Sequence, residues 1–115
     1  MTEPLRICVA GATGWAGAAI TAAILDIPDL RLVGAVARSA AGRDIGTLLG
    51  RSAAGTAISA SVEAALEQPA DVLIDYTTPG SVKGHVLEAL SRRVSVVARS
   101  GTNSSADVYY TISFK

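Results

Sequence analysis

The sequence contains few of the residues from which metal centres and disulfide frameworks are built. It has one cysteine, Cys8, and one histidine, His85. One cysteine cannot form a disulfide within the chain, and the apolar run around Cys8 predicts a small buried hydrophobe. A lone histidine inside a predicted helix is more often a surface residue than a catalyst. With no metal cluster, no nucleophile elbow and no histidine–carboxylate pair by spacing, we predict neither a metal site nor a catalytic residue.

Net charge and long hydrophobic runs are also absent. The ten basic and ten acidic side chains balance, which argues against nucleic acid or a membrane surface as a partner. The apolar stretches are too short to span a bilayer and the first residues do not begin a signal peptide, so a cytoplasmic protein is expected. Half of the residues are hydrophobic and 17% are charged. This composition predicts one folded domain, residues 1–115, with a modest alanine-rich core.

What the sequence does contain is a glycine-rich segment near its start, LRICVAGATGWAG at residues 5–17. An apolar run leads into three glycines, and a helical pattern follows them, as in the strand–turn–helix loop that binds a dinucleotide. Gly11 allows the tight turn, Gly14 lets a pyrophosphate approach, and Gly17 lets the helix pack on the strand. The N–H groups of the first helical turn would face the anion. The candidate cofactor loop is Gly11, Ala12, Thr13, Gly14, Trp15, Ala16 and Gly17. Because its spacing is GxxGxxG and not the commoner GxGxxG, a structural turn without a ligand is the alternative.

Hydrophobic patterning predicts an alternation of strands and helices along the chain. The predicted strands are the run before Gly11, Leu30–Val36, Ala70–Tyr76 and Val94–Val97, with a short one near Ala57–Ile58. The predicted helices are Trp15 to about Asp26, a turn at Ile45–Leu49, Ser61–Leu66 capped by Ser61, and Ser81 to about Ser91 capped by Ser81. In the last helix Val82, Val86, Leu87 and Leu90 are expected to face inward. The fold class predicted is α/β, a Rossmann-like doubly wound parallel sheet. The tail from about residue 104 is atypical, although it ends in a strand-like segment.

Three further loops are expected at the carboxyl ends of the strands, where ligands bind in such a sheet. After the second strand, Ala37 stands where a dinucleotide fold normally has an acid for the adenosine ribose, and Arg38 follows. The absence of a carboxylate and the guanidinium of Arg38 favour a 2′-phosphate, so NADPH is expected over NADH. A solvated loop arginine is the alternative. Two other loops can offer amides and hydroxyls to the nicotinamide half, and they contain Thr77, Thr78 and Pro79 in one and Gly101 and Thr102 in the other.

Together these segments resemble the nucleotide-binding domain of the 4-hydroxy-tetrahydrodipicolinate (dihydrodipicolinate) reductase family of bacterial lysine biosynthesis. The resemblance covers roughly residues 5–98 and rests on RICVAGATGWAG, PDLRLVGAVAR, GRDIGTLLG and ADVLIDYTTPGSVKGHVLEAL. Its most specific part is the D-[FY]-T-x-P segment that begins at Asp75. The resemblance implies a domain that binds NADPH or NADH, in an oxidoreductase that transfers a hydride to a cyclic dicarboxylate on the diaminopimelate route to lysine.

The sequence also departs from the family's pattern. Trp15 and Ala16 stand where the family has Arg-Met, and the loop at Gly101 and Thr102 only approximates the family's G-T-[ST]-G. The family's catalytic domain, with paired histidines and a lysine that bind substrate and donate a proton, is not in this chain. The resemblance therefore implies a cofactor-binding half that is inactive alone and takes the dicarboxylate only if that domain is supplied, with homo-oligomer formation left open. The alternatives are another NAD(P)-dependent reductase and a non-catalytic nucleotide-binding or regulatory module.

Overall fold

The computed structural model of the chain describes residues 3–77, 79–100 and 108–112. Strands and helices alternate along most of this length. In chain order they are β1 (Leu5–Ala10), α1 (Trp15–Asp26), β2 (Leu30–Val36), α2 (Ile45–Leu48), β3 (Ile58–Ser59), α3 (Val62–Ala65), β4 (Val72–Asp75), α4 (Pro79–Ser91), β5 (Ser95–Ser100) and β6 (Val108–Ile112).

The strands form one six-stranded sheet in the order β3-β2-β1-β4-β5-β6. Neighbouring strands from β3 to β5 pair in parallel, and β6 pairs antiparallel to β5 at the edge. The direction of strand progression reverses between β1 and β4, which are paired neighbours. This is the strand order of a doubly wound dinucleotide-binding sheet, and the predicted Rossmann-like fold class is confirmed.

Two hydrophobic clusters cover the sheet. One contains β1, β2, β4 and β5 residues together with residues of α3 and α4, including Val62, Ala65, Val82 and Ala89. The other contains Ile24 of α1 and Ile45 of α2, with Ile20 and Leu25 packed against it. Cys8 is buried in the first cluster, as its apolar surroundings predicted. Helices on both faces leave the loops at the strand ends as the places where a ligand can reach the sheet.

Several predicted elements have the expected bounds. Helix α1 and strand β2 begin and end at the predicted residues. The Ser61 hydroxyl accepts a hydrogen bond from the Ala64 amide at 3.1 Å, which confirms Ser61 as the cap of α3. The strand expected near Ala57–Ile58 is β3, one residue further along. These elements are determined by local patterns, an apolar stripe or a capping side chain, that a sequence displays directly.

The predictions for α4 were wrong in two respects. The helix begins at Pro79, so Ser81 lies inside it and is not its cap. Proline suits the first helical position because it has no N–H to leave unpaired. Leu87 does not face inward, since 58% of it is exposed, and Ala89 is buried in its place. The inward face therefore follows Val82, Val86, Ala89 and Leu90, and His85 lies beside it.

Part of the atypical tail lies within the sheet. Strand β6 pairs with β5 from Val96↔Ile112 to Ser100↔Val108, whereas residues 101–107 and 113–115 lie outside the described residues. None of the helices in the described ranges has the length and apolar character needed to cross a membrane.

Candidate dinucleotide-binding site

The carboxyl ends of four parallel strands form one row. In the register of the sheet, Ala10 of β1 is paired with Val36 of β2 on one side and with Asp75 of β4 on the other. Asp75 is in turn paired with Ala98 of β5. In the described part of the chain, the loops after β1, β2 and β4 leave the sheet within two residues of this row. The glycine loop and the loops that contain Arg38 and Thr77 therefore leave the sheet at one edge, on both sides of the reversal point between β1 and β4.

The glycine loop is held between the ends of β2 and β4. The amides of Gly11 and Ala12 donate to the Val36 carbonyl at 2.9 and 3.0 Å, and the Tyr76 amide donates to the Ala10 carbonyl at 3.0 Å. Gly11 has φ +79°, and a Cβ there would lie 3.0 Å from the Tyr76 carbonyl oxygen. Both the backbone angle and the lack of space explain why this turn needs glycine.

Gly17 and Gly14 have different surroundings. A Cβ on Gly17 would lie 1.8 Å from the Gly11 carbonyl oxygen, so only glycine allows α1 to pack this close to the turn. A Cβ on Gly14 would meet only that same oxygen, at an ordinary contact distance of 3.4 Å. The fold therefore does not require glycine at position 14. The space beside Gly14 is open to a bound group.

The amino end of α1 is free to receive an anion. Gly14 is its N-cap, no side chain caps it, and its first turn has no acidic residue. The first-turn amides and the helix dipole together form a surface that favours negative charge. In this loop Ala12 is buried and Thr13 and Ala16 are half-buried. Trp15, the first residue of the helix, is 94% exposed.

The end of β2 carries the second predicted group. Ala37 is buried, and its amide donates to the Ser59 carbonyl of β3 at 3.1 Å. Arg38 is exposed and follows immediately. The Val36 carbonyl accepts hydrogen bonds from the glycine loop, and Arg38 lies two residues further along the chain. Arg38 thus follows the end of β2 on the side of the glycine loop, and the position before it, Ala37, has no carboxylate.

The end of β4 contains a group of interacting side chains that our sequence analysis missed. Asp75 has a fully buried side chain, and its Oδ2 lies 2.9 Å from His85 Nδ1. Its Oδ1 accepts from the Thr77 amide at 2.9 Å and from the Thr77 hydroxyl. The expectation that the sequence contains no histidine–carboxylate pair was therefore wrong. His85, expected more often at the surface than in catalysis, is half-buried, with 24% of its side chain exposed.

A signal for the inward position of His85, but not for its partner, was present in the sequence. His85 lies three residues after Val82 and four before Ala89, both buried, and so belongs to the same helical face. That face packs on the sheet next to the strand that ends in Asp75. The number of residues between Asp75 and His85 does not indicate their contact, because the loop between β4 and α4 determines how far apart the two side chains lie.

The environment of Asp75 keeps it ionised. Burial is the largest influence and raises its pKa, but the hydrogen bonds from His85 and Thr77 outweigh burial and hold the pKa below its ordinary value. Burial also raises the pKa of the Cys8 thiol to about 12, and the negative charge of Asp75 adds to the effect. Cys8 is therefore a protonated, unreactive thiol at neutral pH.

The remaining predicted site residues are only partly described. Pro79 is the first residue of α4, four positions after Asp75 at the end of β4. Thr78, Gly101 and Thr102 lie outside the described residues.

The fold and the geometry of its edge define a class: a dinucleotide-binding α/β domain of the Rossmann type. The family model described as "Dihydrodipicolinate reductase, N-terminus" matches residues 5–107. A 4-hydroxy-tetrahydrodipicolinate reductase of Burkholderia lata is 38% identical over 96 residues, which are 81% of this chain and 36% of the relative. The chain belongs to the family of N-terminal domains of dihydrodipicolinate reductases. It spans little more than a third of the length of this curated relative.

Solved structures of oxidoreductases share the fold. An amine dehydrogenase from Mycobacterium smegmatis matches with a TM-score of 0.73 and 26% identity, over 82% of this chain and 29% of that one. A dipicolinate-bound dihydrodipicolinate reductase from Paenisporosarcina sp. TG-14 matches with a TM-score of 0.66 and 24% identity, over 87% and 38%. In both cases the match covers one part of a longer chain.

Proposed function

We propose that this chain binds NAD(P)H at the row of strand ends and serves as the cofactor-binding half of a 4-hydroxy-tetrahydrodipicolinate reductase. In that reaction the bound cofactor supplies a hydride to a cyclic dicarboxylate. The observation that carries the proposal is the β1–α1 turn. Gly17 is required for packing, Gly14 is not, and the uncapped amino end of α1 lies behind Gly14. A turn with open space in front of unpaired amides fits a pyrophosphate.

We assign a different part of the dinucleotide to each loop. The loop from Gly11 to Gly17 takes the pyrophosphate, with the amides of the first turn of α1 as donors, because the amides of Gly11, Ala12 and Gly14 already donate to backbone carbonyls. Arg38 takes the 2′-phosphate of NADPH, because a guanidinium can pair with it through two parallel hydrogen bonds. The nicotinamide half is assigned to the loops at β4 and β5, with the residues Thr77, Thr78, Pro79, Gly101 and Thr102. No catalytic acid is assigned to this chain.

A complete reductase needs more than a bound cofactor. Reduction of the dicarboxylate consumes a hydride and a proton, and the substrate carboxylates need cationic partners. The proton donor and the carboxylate-binding groups are assigned to the family's second domain. We place the protein in the cytoplasm, where the nicotinamide cofactors and the precursors of amino-acid synthesis are available to it.

Titration of the purified chain with NADPH, NADH and AMP tests the proposed function. Trp15 is the chain's single tryptophan and lies at the proposed pyrophosphate loop, so its emission reports binding there directly. We expect saturable quenching by NADPH, weaker quenching by NADH, and little by AMP at the same concentrations. Binding of AMP as tight as that of NADPH would instead support a nucleotide-sensing module. No binding of either dinucleotide would contradict the proposal.

A further inference from the structure

One buried carboxylate connects three separate parts of the proposed nicotinamide side of the site. Asp75 is the last residue of β4, Thr77 belongs to the loop that follows, and His85 lies in α4. Each carboxylate oxygen of Asp75 contacts one of these two partners. Oδ1 accepts from Thr77, and Oδ2 lies 2.9 Å from His85 Nδ1. A fully buried carboxylate is tolerated only when its oxygens are satisfied in this way.

The pair also fixes the histidine ring. An ionised carboxylate can only accept hydrogen bonds, so Nδ1 carries the proton that faces Asp75. The Thr77 hydroxyl lies 3.3 Å from the same nitrogen. The ring is thus held against both the strand end and the loop, and only 24% of it is exposed.

The loop held by this pair begins next to the glycine loop. The Tyr76 amide donates to the Ala10 carbonyl at the end of β1, and Thr77 is bound to Asp75 through its amide and its hydroxyl. The first two residues after β4 are therefore fixed on both sides. A loop that is already ordered loses little entropy when a ligand binds to it.

We propose that His85, held by Asp75, is a positioning residue that fixes the loop from Tyr76 to Thr77 for the nicotinamide half of the dinucleotide. The inference rests on the proposed function, because it assigns a task to a part of that site. His85 acts through Asp75 and Thr77 and is not placed in contact with the cofactor. Its effect is therefore expected on one half of the ligand only, whereas a general loss of stability would weaken both halves.

Three variants and two ligands separate these possibilities. His85→Ala removes the donor to Asp75, and His85→Asn keeps one, because the asparagine side-chain nitrogen lies close to the position of Nδ1. Lys83→Ala is the matched control, an exposed residue on the same helix. NADPH probes the whole site, and adenosine 2′,5′-bisphosphate probes the adenine half alone. Urea unfolding midpoints of all variants are measured in parallel.

We expect His85→Ala to weaken NADPH binding by roughly tenfold or more, the scale of one charge-assisted hydrogen bond. Binding of adenosine 2′,5′-bisphosphate should stay unchanged. His85→Asn should restore most of the NADPH affinity, and Lys83→Ala should behave as the parent chain. The emission of the bound dihydronicotinamide, enhanced in the parent, should be lost in His85→Ala.

Two results would overturn the positioning role alone: equal weakening of both ligands in His85→Ala, or no weakening of either. A third result would also overturn the positioning role. If His85→Asn and His85→Ala bind NADPH equally weakly at equal stability, the donor to Asp75 has no part in binding. If the parent chain binds neither ligand, the proposed function fails and this inference fails with it.

Discussion

Gly14 and Gly17 show at the scale of single residues how a binding role separates from a folding role. We expect Gly14→Val to abolish dinucleotide binding, because the added side chain occupies the space beside the open amino end of α1. The helical content should be retained, since Gly14 has φ −70° and ψ 169°, which valine can adopt. Cofactor fluorescence and circular dichroism on the same sample test both statements.

Gly17→Ala is the matched comparison for that variant. A Cβ at 1.8 Å from the Gly11 carbonyl oxygen forces α1 away from the turn, so this smaller substitution should lower the unfolding midpoint as well as binding. If Gly14→Val bound cofactor as the parent chain does, the assignment of the glycine loop would be wrong.

Arg38 is expected to determine the choice of cofactor. It is exposed at the end of β2, and the preceding Ala37 offers no carboxylate to repel a phosphate. One charge-assisted hydrogen bond is worth about 1.5–3 kcal/mol, so the chain should prefer NADPH to NADH by roughly tenfold or more. Arg38→Ala should remove most of this preference and leave NADH binding nearly unchanged, as measured by titration with each cofactor. Equal affinities in the parent chain would show that Arg38 points elsewhere.

At the scale of an element, the segment between β2 and β3 is organised by one carboxylate. Asp44 accepts hydrogen bonds from the backbone amide and hydroxyl of Thr47, as N-cap of α2, and from the amides of Ala54, Gly55 and Thr56. The amides of Ala54 and Thr47 are the largest influences and lower the pKa of Asp44 from its ordinary 3.8 to about 2. Charge on this side chain therefore stabilises the folded segment.

The pH dependence of stability follows from the sign of that shift. Because the pKa of Asp44 is lower in the folded state, its contribution is fully present above about pH 4 and is lost as the pH falls toward 2. Urea unfolding midpoints of the parent and of Asp44→Asn should therefore differ near neutral pH and converge as the pH falls through this range. Asp29→Asn, at an exposed aspartate in the turn before β2, is the control for the loss of one carboxylate charge. A difference that is constant with pH would contradict the role of the charge.

At the scale of the whole molecule, we expect the chain alone to bind cofactor without measurable reductase activity. His85 is engaged with Asp75, and the two lysines of the sequence are Lys83 and Lys115, so we assign no proton donor for the substrate to this chain. General acid–base catalysis contributes about 10²–10⁴-fold, and orientation of the substrate can contribute several kcal/mol more. Without both, turnover should fall far below the typical median of about 10 s⁻¹.

A coupled assay measures this directly. The imine precursor is generated in place, and oxidation of NADPH is followed by absorbance, with a full-length reductase of the family as the positive control. Turnover within about tenfold of that median would show that this chain or a second copy of it supplies the missing groups.

The sequence by itself determined the strand–turn–helix at Gly11–Gly17, the capped turn at Ser61 and the alternation that gives a doubly wound sheet. These features are local: glycine positions, capping side chains and apolar periodicity act within a few residues of one another. They also predicted the positions of Ala37 and Arg38, because those residues follow a strand whose end the pattern shows.

Only the tertiary structure decided the contact between Asp75 and His85. The two residues meet because α4 begins at Pro79 and packs over the end of β4, and the sequence pattern misplaced both the start of the helix and its buried face at Leu87. A carboxylate buried at a strand end needs partners, but which residues supply them depends on how the helix packs against the sheet. That packing is a property of the assembled sheet and its helices, so no spacing along the chain reveals it.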